Sequence, residues 1–388
     1  TQKLAAVVGW NKGEMPKVPA GFTIEAFADK LDNPRWIYVL PNGDVLVAES
    51  NTTGKVSKAE KKVKNPSKAQ RAGTSANRIT LLRDSNKDGK VDVREVFLSG
   101  LNQPLGMLLL KDSFYVANTD SVMRYPYKDG ETKISAKGVK ILDLPAGGYN
   151  NHWTRNLLAS ADSSKIYVSV GSGSNVAEHG MDNEKRRANI LEINPDGSGE
   201  RIFASGLRNP VGMDLEPTGK ALWTAVNERD ELGDELVPDY ITSVKDSAFY
   251  GWPYSYYGAH EDPRLKGQNP ELVKKALVPD LAMGPHTASL GLAFNKGEGF
   301  PEKYKNAVFV GQHGSWNRSK FSGYRVAFVP FKNGKPAGEA EDFVTGFIKD
   351  EAKSEVYGRP VGVTFDQGGN LLVADDSGDT VWIVRAKK

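Results

Sequence analysis

The sequence predicts an all-β chain folded as a six-bladed β-propeller, and three observations lead to this. A short β-rich unit recurs six times along the 388 residues. A second template precedes most copies of the unit. Helical periodicity is scarce, residues 270–275 being the best short helix.

The unit is a polar or glycine turn, an alternating apolar run, then a small or acidic residue. It reads Gly43-Asp44-Val45-Leu46-Val47-Ala48-Glu49, then Asp112-Ser113-Phe114-Tyr115-Val116-Ala117-Asn118. It returns at residues 164–170, 219–226, 306–311 and 369–375. With Leu46, Phe114, Ile166, Leu222, Val308 and Leu371 taken as equivalent, 325 residues are covered in five steps, a mean of 65. Four short strands with generous loops need about that much chain, so residues 1–388 are expected to form one domain.

About ten residues before each unit stands the second template. It reads Asn-Gln-Pro-Leu-Gly-Met at 102–107, Arg-Asn-Pro-Val-Gly-Met at 208–213 and Gly-Arg-Pro-Val-Gly-Val at 358–363. Weaker copies are Asn33-Pro34-Arg35-Trp36-Ile37 and Ala288-Ser289-Leu290-Gly291-Leu292, and residues 152–157 take the same place. Each copy leads into the first strand of a blade, the one nearest the axis. Gln103, His152, Arg208, Asn209 and Arg359 are therefore expected to converge at one mouth of the channel. Asn-Pro and Arg-Pro also punctuate turns, but punctuation alone does not explain why Gln, His and Arg replace one another at the slot.

Two loops stand out. Residues 51–75 carry Lys55, Lys58, Lys61, Lys62, Lys64, Lys68 and Arg71 against a single acid, Glu60. Such a run is either a solvated loop or a docking surface for an acidic electron acceptor. Residues 253–305, rich in Tyr, Pro and Gly, read as a long insertion forming a wall or lid beside the channel.

Composition excludes several function classes. The net charge of +3 is too weak and dispersed for nucleic-acid binding. No apolar run approaches the ~18 residues of a membrane span. With no cysteine there is no disulfide, thiolate zinc site, iron–sulfur cluster or CxxCH haem attachment. The chain starts at Thr1, which with the missing cysteine suggests a periplasmic protein whose leader has been removed; a trimmed cytosolic chain is the alternative. No GxGxxG opens a helix after a strand, and P-loop and HExxH motifs are absent. Gly171-Ser172-Gly173-Ser174 lacks the spacing of a nucleophile elbow.

Of the five histidines, His152 has the best claim to chemistry. It sits at the converging slot, where a neutral imidazole can take a proton from a substrate hydroxyl. Asp84, Asn86, Asp88, Lys90 (through its carbonyl), Asp92 and Glu95, with Gly89 at the sixth position, match the twelve-residue calcium loop. The flanking runs look like strands rather than helices, so a polar hairpin turn competes with a calcium site. Residues 227–235 form a second acidic loop, rich in the hard oxygen ligands that suit Ca²⁺.

Five motifs in order resemble the PQQ-dependent soluble sugar dehydrogenases (PQQ is pyrroloquinoline quinone), most nearly the L-sorbosone and aldose dehydrogenase branch. They are Asn-His-Trp-Thr-Arg-Asn at 151–156, Gly-Leu-Arg-Asn-Pro-Val-Gly at 206–212, Gly-Asp-Glu-Leu at 233–236 with Tyr-Gly-Trp-Pro at 250–253, Gln-His-Gly-Ser-Trp-Asn-Arg at 312–318, and Gly-Arg-Pro-Val-Gly-Val at 358–363. The resemblance implies that His152 takes the hydroxyl proton. It implies that Gln103, Arg208, Asn209 and Trp316 contact the quinone, with Arg208 steadying the developing oxyanion. Arg359 and Arg318 would pair with the cofactor's carboxylates, which suit guanidinium forks. In the family, calcium on the cofactor uses backbone carbonyls of a Gly-Pro pair; Arg229-Asp230 stands there in this chain. A second family calcium corresponds to Glu235 and the carbonyl of Tyr250. Val361 replaces a family arginine. Electrons would leave to an external acceptor, a cytochrome or quinone. A calcium-dependent propeller lactonase and a non-catalytic binding propeller are the rival classes. The first would need several side-chain oxygens at the channel mouth, where this chain offers arginines; the second leaves His152 and the arginines without a role.

Overall fold

Short runs of Val, Ile, Leu and aromatic residues, punctuated by Gly, Asn and Asp, become strands of mostly four to seven residues in the computed structural model. The structure describes residues 1–54, 62 and 73–388. Among them one α-helix occurs, Pro270–Lys275, and no helix is long and apolar enough to cross a membrane.

The strands form six antiparallel sheets with four strands in sequence or near-sequence order. Their first strands are Pro34–Val39, Met107–Leu110, Arg155–Ala159, Pro210–Leu215, Ser289–Phe294 and Pro360–Phe365. Each recurring unit of the sequence supplies the second strand of its sheet, such as Val45–Glu49 and Leu371–Asp375. The last sheet is completed by the N-terminal strand Phe22–Ala28, which pairs antiparallel with Thr380–Ala386, Phe22 opposite Ala386. The two ends of the chain thus share one sheet. In the third sheet, the two-residue strand Ala248–Phe249 adds a parallel edge.

The six first strands touch one another in cyclic order, the last packing against the first, and all six line one cavity of about 750 Å³. The glycines of the Pro-x-Gly template explain the close approach. A Cβ on Gly212 would collide with the backbone of Leu290 and Leu292; one on Gly362 would meet Arg35 and Trp36. Gly106 and Gly291 stand in the same relation to their neighbours.

Between sheets lie apolar layers. In the largest, Phe22 meets Phe343 edge to face at 5.1 Å, packed with Phe300, Phe309 and Trp382. Each such buried side chain contributes about 1.5–3 kcal/mol.

One loop expectation changes. The insertion at 253–305 is shorter than the sequence suggested, because Leu281–Pro285 is the fourth strand of one sheet and Ser289–Phe294 the first strand of the next. Gly284 and Gly291 inside these strands gave them the look of loop. What remains is residues 253–280, a small hairpin and the helix. Its Asp262 carboxylate receives the Arg229 guanidinium at 2.5 Å, both side chains buried. Of the basic run, only Lys62 is described; Lys55, Lys58, Glu60, Lys61, Lys64, Lys68 and Arg71 lie outside the described residues.

Candidate functional site

The residues just ahead of the first strands meet at the mouth where those strands begin. With the loops that follow the second strands they line a cavity of about 340 Å³, bounded by Arg35, Thr52, His152, Asn209, Asp230, His286, His313, Trp316, Asn317 and Arg359. Each is aimed by its strand: Arg35 lies within Pro34–Val39, Asn209 precedes Pro210, and Arg359 precedes Pro360.

His152 presents one ring edge to the cavity; its Nδ1 lies 2.9 Å from Ser172 O. Burial, reinforced by the nearby Arg208 charge, lowers its pKa to about 3. It is therefore neutral at ordinary pH, the state a proton acceptor needs. Asp230 is the opposite case. Burial opposes its charge, but Arg208 and His286 outweigh that and hold it at about 2. Its Oδ2 takes Arg208 Nη2 at 3.0 Å, and its Oδ1 takes Asn317 Nδ2 at 2.9 Å. Burial also disfavours charge on His286, but hydrogen bonds to Asp230 and to the Gly233 carbonyl raise its pKa.

On the other side stand two guanidiniums. Arg35 Nη1 donates to Asp376 Oδ2 at 2.8 Å. Arg359 donates to the carbonyls of His313 and Gly314 at 2.8 and 2.7 Å. Burial lowers the Arg35 pKa; Asp376 counters this, and the like charge of Arg359 adds to it. Asp376 is itself pushed up by burial to about 6 against the pull of both arginines, so near pH 7 it is ionised and the two arginines share it. His313 Nε2 also rests on Asp376, at 2.8 Å. Two guanidinium cations on one wall of the cavity have the chemistry to seat an anion.

Of the sequence-predicted residues, His152, Asn209, Asp230, Trp316 and Arg359 come together here, and the others do not. Gln103 lines an adjoining cavity of about 620 Å³ and gives its Nε2 to Asn51 O at 2.9 Å. Arg208 is fully buried behind the wall, spent on Asp230 and on the carbonyls of Asn175, Asn227 and Glu228. It acts on the cavity through its field rather than by contact. Arg318 turns away to Glu235 at 2.7 Å and to Asp234 O at 3.1 Å. Tyr250 is a core residue whose hydroxyl donates to Ser243 O at 2.8 Å.

The metal expectations fare differently from the quinone ones. Among the described residues no three His, Asp or Glu side chains form a group that could hold a metal ion. At Arg229-Asp230 the carbonyl of Asp230 already accepts from the Arg229 guanidinium, and the Arg229 side chain runs to Asp262. A cation there would meet a fixed positive charge, so the residues present do not fit calcium at that position. Glu235 is paired with Arg318. In the 84–95 loop, Asp84 accepts from the N–H groups of Asp88 and Gly89, at 3.1 and 2.7 Å. Asp92 accepts from Ser85 N at 2.9 Å, and Asn86 and Asp88 make a further turn. Lys90 N donates to Asp88, and Glu95 lies within the strand Val93–Leu98, opposite Leu81. In the structure the carboxylates of this hairpin loop accept from its own backbone N–H groups.

PQQ passes the same test. The wall offers Arg35 and Arg359 for carboxylates, with the Asn209 side chain beside them. Arg35, His286, His313 and Asn317 were not singled out from sequence. Arg35 stands two residues after the template slot in a weak copy, where the other copies carry Leu105, Val211 and Val361, and His286 lies two residues before another copy.

The chain belongs to the family described as Domain of unknown function (DUF7133), which matches residues 14–315. A TrAA12-like family matches residues 264–387. A Borreliella burgdorferi protein, described only as uncharacterized, is 27% identical over 384 residues, covering 96% of this chain and 91% of that one. A pyrroloquinoline quinone-dependent pyranose dehydrogenase of Coprinopsis cinerea is 24% identical over 298 residues, covering 61% of this chain and 40% of that protein's length. The solved holo form of the Coprinopsis cinerea pyranose dehydrogenase PQQ domain superposes with a TM-score of 0.77 at 20% identity, covering 98% of this chain and all of that one. The structural likeness shows a shared fold, and the chain's neighbours include PQQ-dependent sugar dehydrogenases.

Proposed function

We propose that this chain is a PQQ-dependent dehydrogenase that oxidises a sugar hydroxyl or a sugar-derived aldehyde. The observation that carries the proposal is the pairing, in one cavity, of a neutral imidazole with two guanidiniums that share one carboxylate. The six sheets and the cyclic contacts of their first strands support a single six-bladed propeller with the cavity at its axis.

PQQ, when bound, supplies the hydride acceptor. Arg359 and Arg35 hold its carboxylates, Asn209 offers an amide to its polar edge, and Trp316 walls the site. His152 accepts the substrate's proton at its cavity-side nitrogen. Arg208, though out of contact, keeps His152 neutral and Asp230 ionised. Asp230, His286 and Asn317 present polar groups that can orient a hydroxylated substrate.

The relatives' names favour an aldose or pyranose; an L-sorbosone-type aldehyde is the competing substrate. A structural Ca²⁺ at the 84–95 hairpin is a separate proposal that rests on ligand spacing. A periplasmic location and a separate cytochrome or quinone acceptor complete the picture.

The test is reconstitution: PQQ is added to the purified chain with and without Ca²⁺, and absorption is followed as aldoses, pyranoses and L-sorbosone are supplied with a dye acceptor. Saturable PQQ binding and sugar-dependent bleaching are expected. A chain that binds no PQQ under either condition overturns the proposal.

A further inference from the structure

The segment Gly171-Ser172-Gly173-Ser174, too irregular for a nucleophile elbow, lies directly behind His152. Two acceptors face the imidazole Nδ1: Ser172 O at 2.9 Å and Ser172 Oγ at 2.9 Å. A carbonyl oxygen has no proton to give. The Ser172 hydroxyl has one, which it donates to Ser174 O at 2.6 Å. Both neighbours therefore accept, and the ring proton must sit on Nδ1. Nε2 has no hydrogen-bond partner among the described residues and is left with its lone pair on the cavity side.

The segment is itself clamped. Glu184, buried at the end of the 3-10 turn Met181–Glu184, accepts from Gly173 N with one oxygen at 2.9 Å and from Ser174 Oγ with the other at 2.5 Å. Ser172 N donates to Arg208 O at 2.7 Å. Ser172 and Ser174 are fully buried. The glycines are needed for the fit: a Cβ on Gly171 would strike Asn209 and the His152 side chain, and one on Gly173 would strike Tyr149 O. The His152 backbone is fixed as well, its carbonyl taking Arg155 Nη1 at 2.7 Å.

We infer that residues 171–174, clamped by Glu184, form a positioning strap that holds His152 in the single tautomer with Nδ1 protonated and Nε2 ready to accept a proton. The inference deepens the proposed function, since it assumes His152 is the base. Ser172 and Glu184 touch neither substrate nor cofactor and act only through His152. The balance is simple: the hydroxyl proton moves to Nε2, giving an imidazolium whose Nδ1–H remains bonded to Ser172.

The direct test is the ¹⁵N spectrum of histidine-labelled protein without cofactor, with His152 assigned by loss of its signals in His152→Gln. The wild type should show one protonated nitrogen, Nδ1, and an unprotonated Nε2. In Glu184→Gln the amide has one acceptor oxygen, so only one of the two clamping bonds keeps its acceptor and neither keeps the charge. A lost hydrogen bond is worth roughly a three- to tenfold effect. Glu184→Gln and Ser174→Ala should therefore loosen the strap and lower kcat roughly three- to tenfold, with KM and PQQ affinity within about twofold, while the Ser172 carbonyl still keeps the proton on Nδ1; Ser174→Thr, which keeps the hydroxyl, should stay near wild type. Ser172→Ala serves as a second probe should Glu184→Gln fail to fold. An Nε2–H tautomer in the wild type overturns the strap, as does a wild-type kcat in both Glu184→Gln and Ser172→Ala. Full turnover in His152→Ala would overturn the base assignment instead, while the wild-type tautomer would still decide the strap.

Discussion

The six first strands line one cavity along their bodies, and a second cavity lies at the ends where they begin. The larger, about 750 Å³, is walled mostly by Ile37, Leu108, Leu157, Met213, Leu292 and Phe365. The smaller, about 340 Å³, holds His152, His286, His313, Arg35, Arg359 and Asp230. Strand bodies face the first; the residues at the starts of the first strands, with those that follow the second strands, face the second. Inside a strand the repeat demands an apolar or glycine residue, because neighbouring strands press against it. Just before the strand that demand lapses, and polar side chains can be carried at no cost to packing. Volume is therefore a poor guide to chemistry in this molecule, and position along the strand a good one.

If the polar mouth is the reacting one, its loss should separate into two kinds. His152→Ala removes a proton acceptor and should lower turnover about 10²–10⁴-fold while PQQ still binds. Steady-state rates with a dye acceptor, set beside PQQ titration, check both halves. Near-normal turnover with every substrate the wild type oxidises would end the distinction between the two mouths. Arg359→Ala should do the reverse. A charge-assisted hydrogen bond is worth about 1.5–3 kcal/mol, so PQQ affinity should fall about ten- to a hundredfold, with turnover partly recovered at saturating cofactor. Unchanged PQQ affinity would remove the anion seat.

The axis of this fold was legible because close packing writes itself into sequence. The Pro-x-Gly template recurs where one first strand lies against the next, and Gly212 and Gly362 are there because no Cβ fits. The candidate site was half legible for the same reason. His152, Asn209 and Arg359 occupy the slot and do converge. Arg208 occupies it too, yet Asp230 and three carbonyls draw its guanidinium behind the wall, and spacing cannot report which partner wins. Arg229 is the sharper case: only the fold shows that Asp262, 33 residues on, claims its side chain. The 84–95 pattern was readable as spacing, but the same carboxylates can cap a turn or bind an ion, and spacing does not choose between them.

The pH dependence sharpens the picture of the polar mouth. The folded-state pKa of His152 is lowered to about 3 from an ordinary value near 6.5. In that window the unfolded chain binds a proton that the folded chain refuses. The His152 contribution to stability is therefore fully present above pH 6.5 and is lost as pH falls towards 3. The base form persists across the same range, so kcat/KM should show no acid limb near pH 6.5. A limb there that disappears with His152 would mean that water in the cavity restores the imidazole's proton affinity.

The smallest effect is expected at the other cavity. Lys296 lines it, half exposed, in an ion pair with Asp214, whose second oxygen accepts from Phe294 N at 2.9 Å. Lys296→Ala leaves that backbone bond in place and removes one exposed partner of a surface pair, which is worth about 0–1 kcal/mol. Asp214 stays partly solvated and needs no new partner. The melting temperature should shift only slightly, and kcat, KM and PQQ affinity should all match the wild type. The first strand Pro210–Leu215 connects the two cavities directly, with Asn209 at one end and Asp214 near the other. If Lys296→Ala changes turnover while leaving stability intact, that strand transmits between the cavities, and their separation into a reacting mouth and a packed wall is wrong.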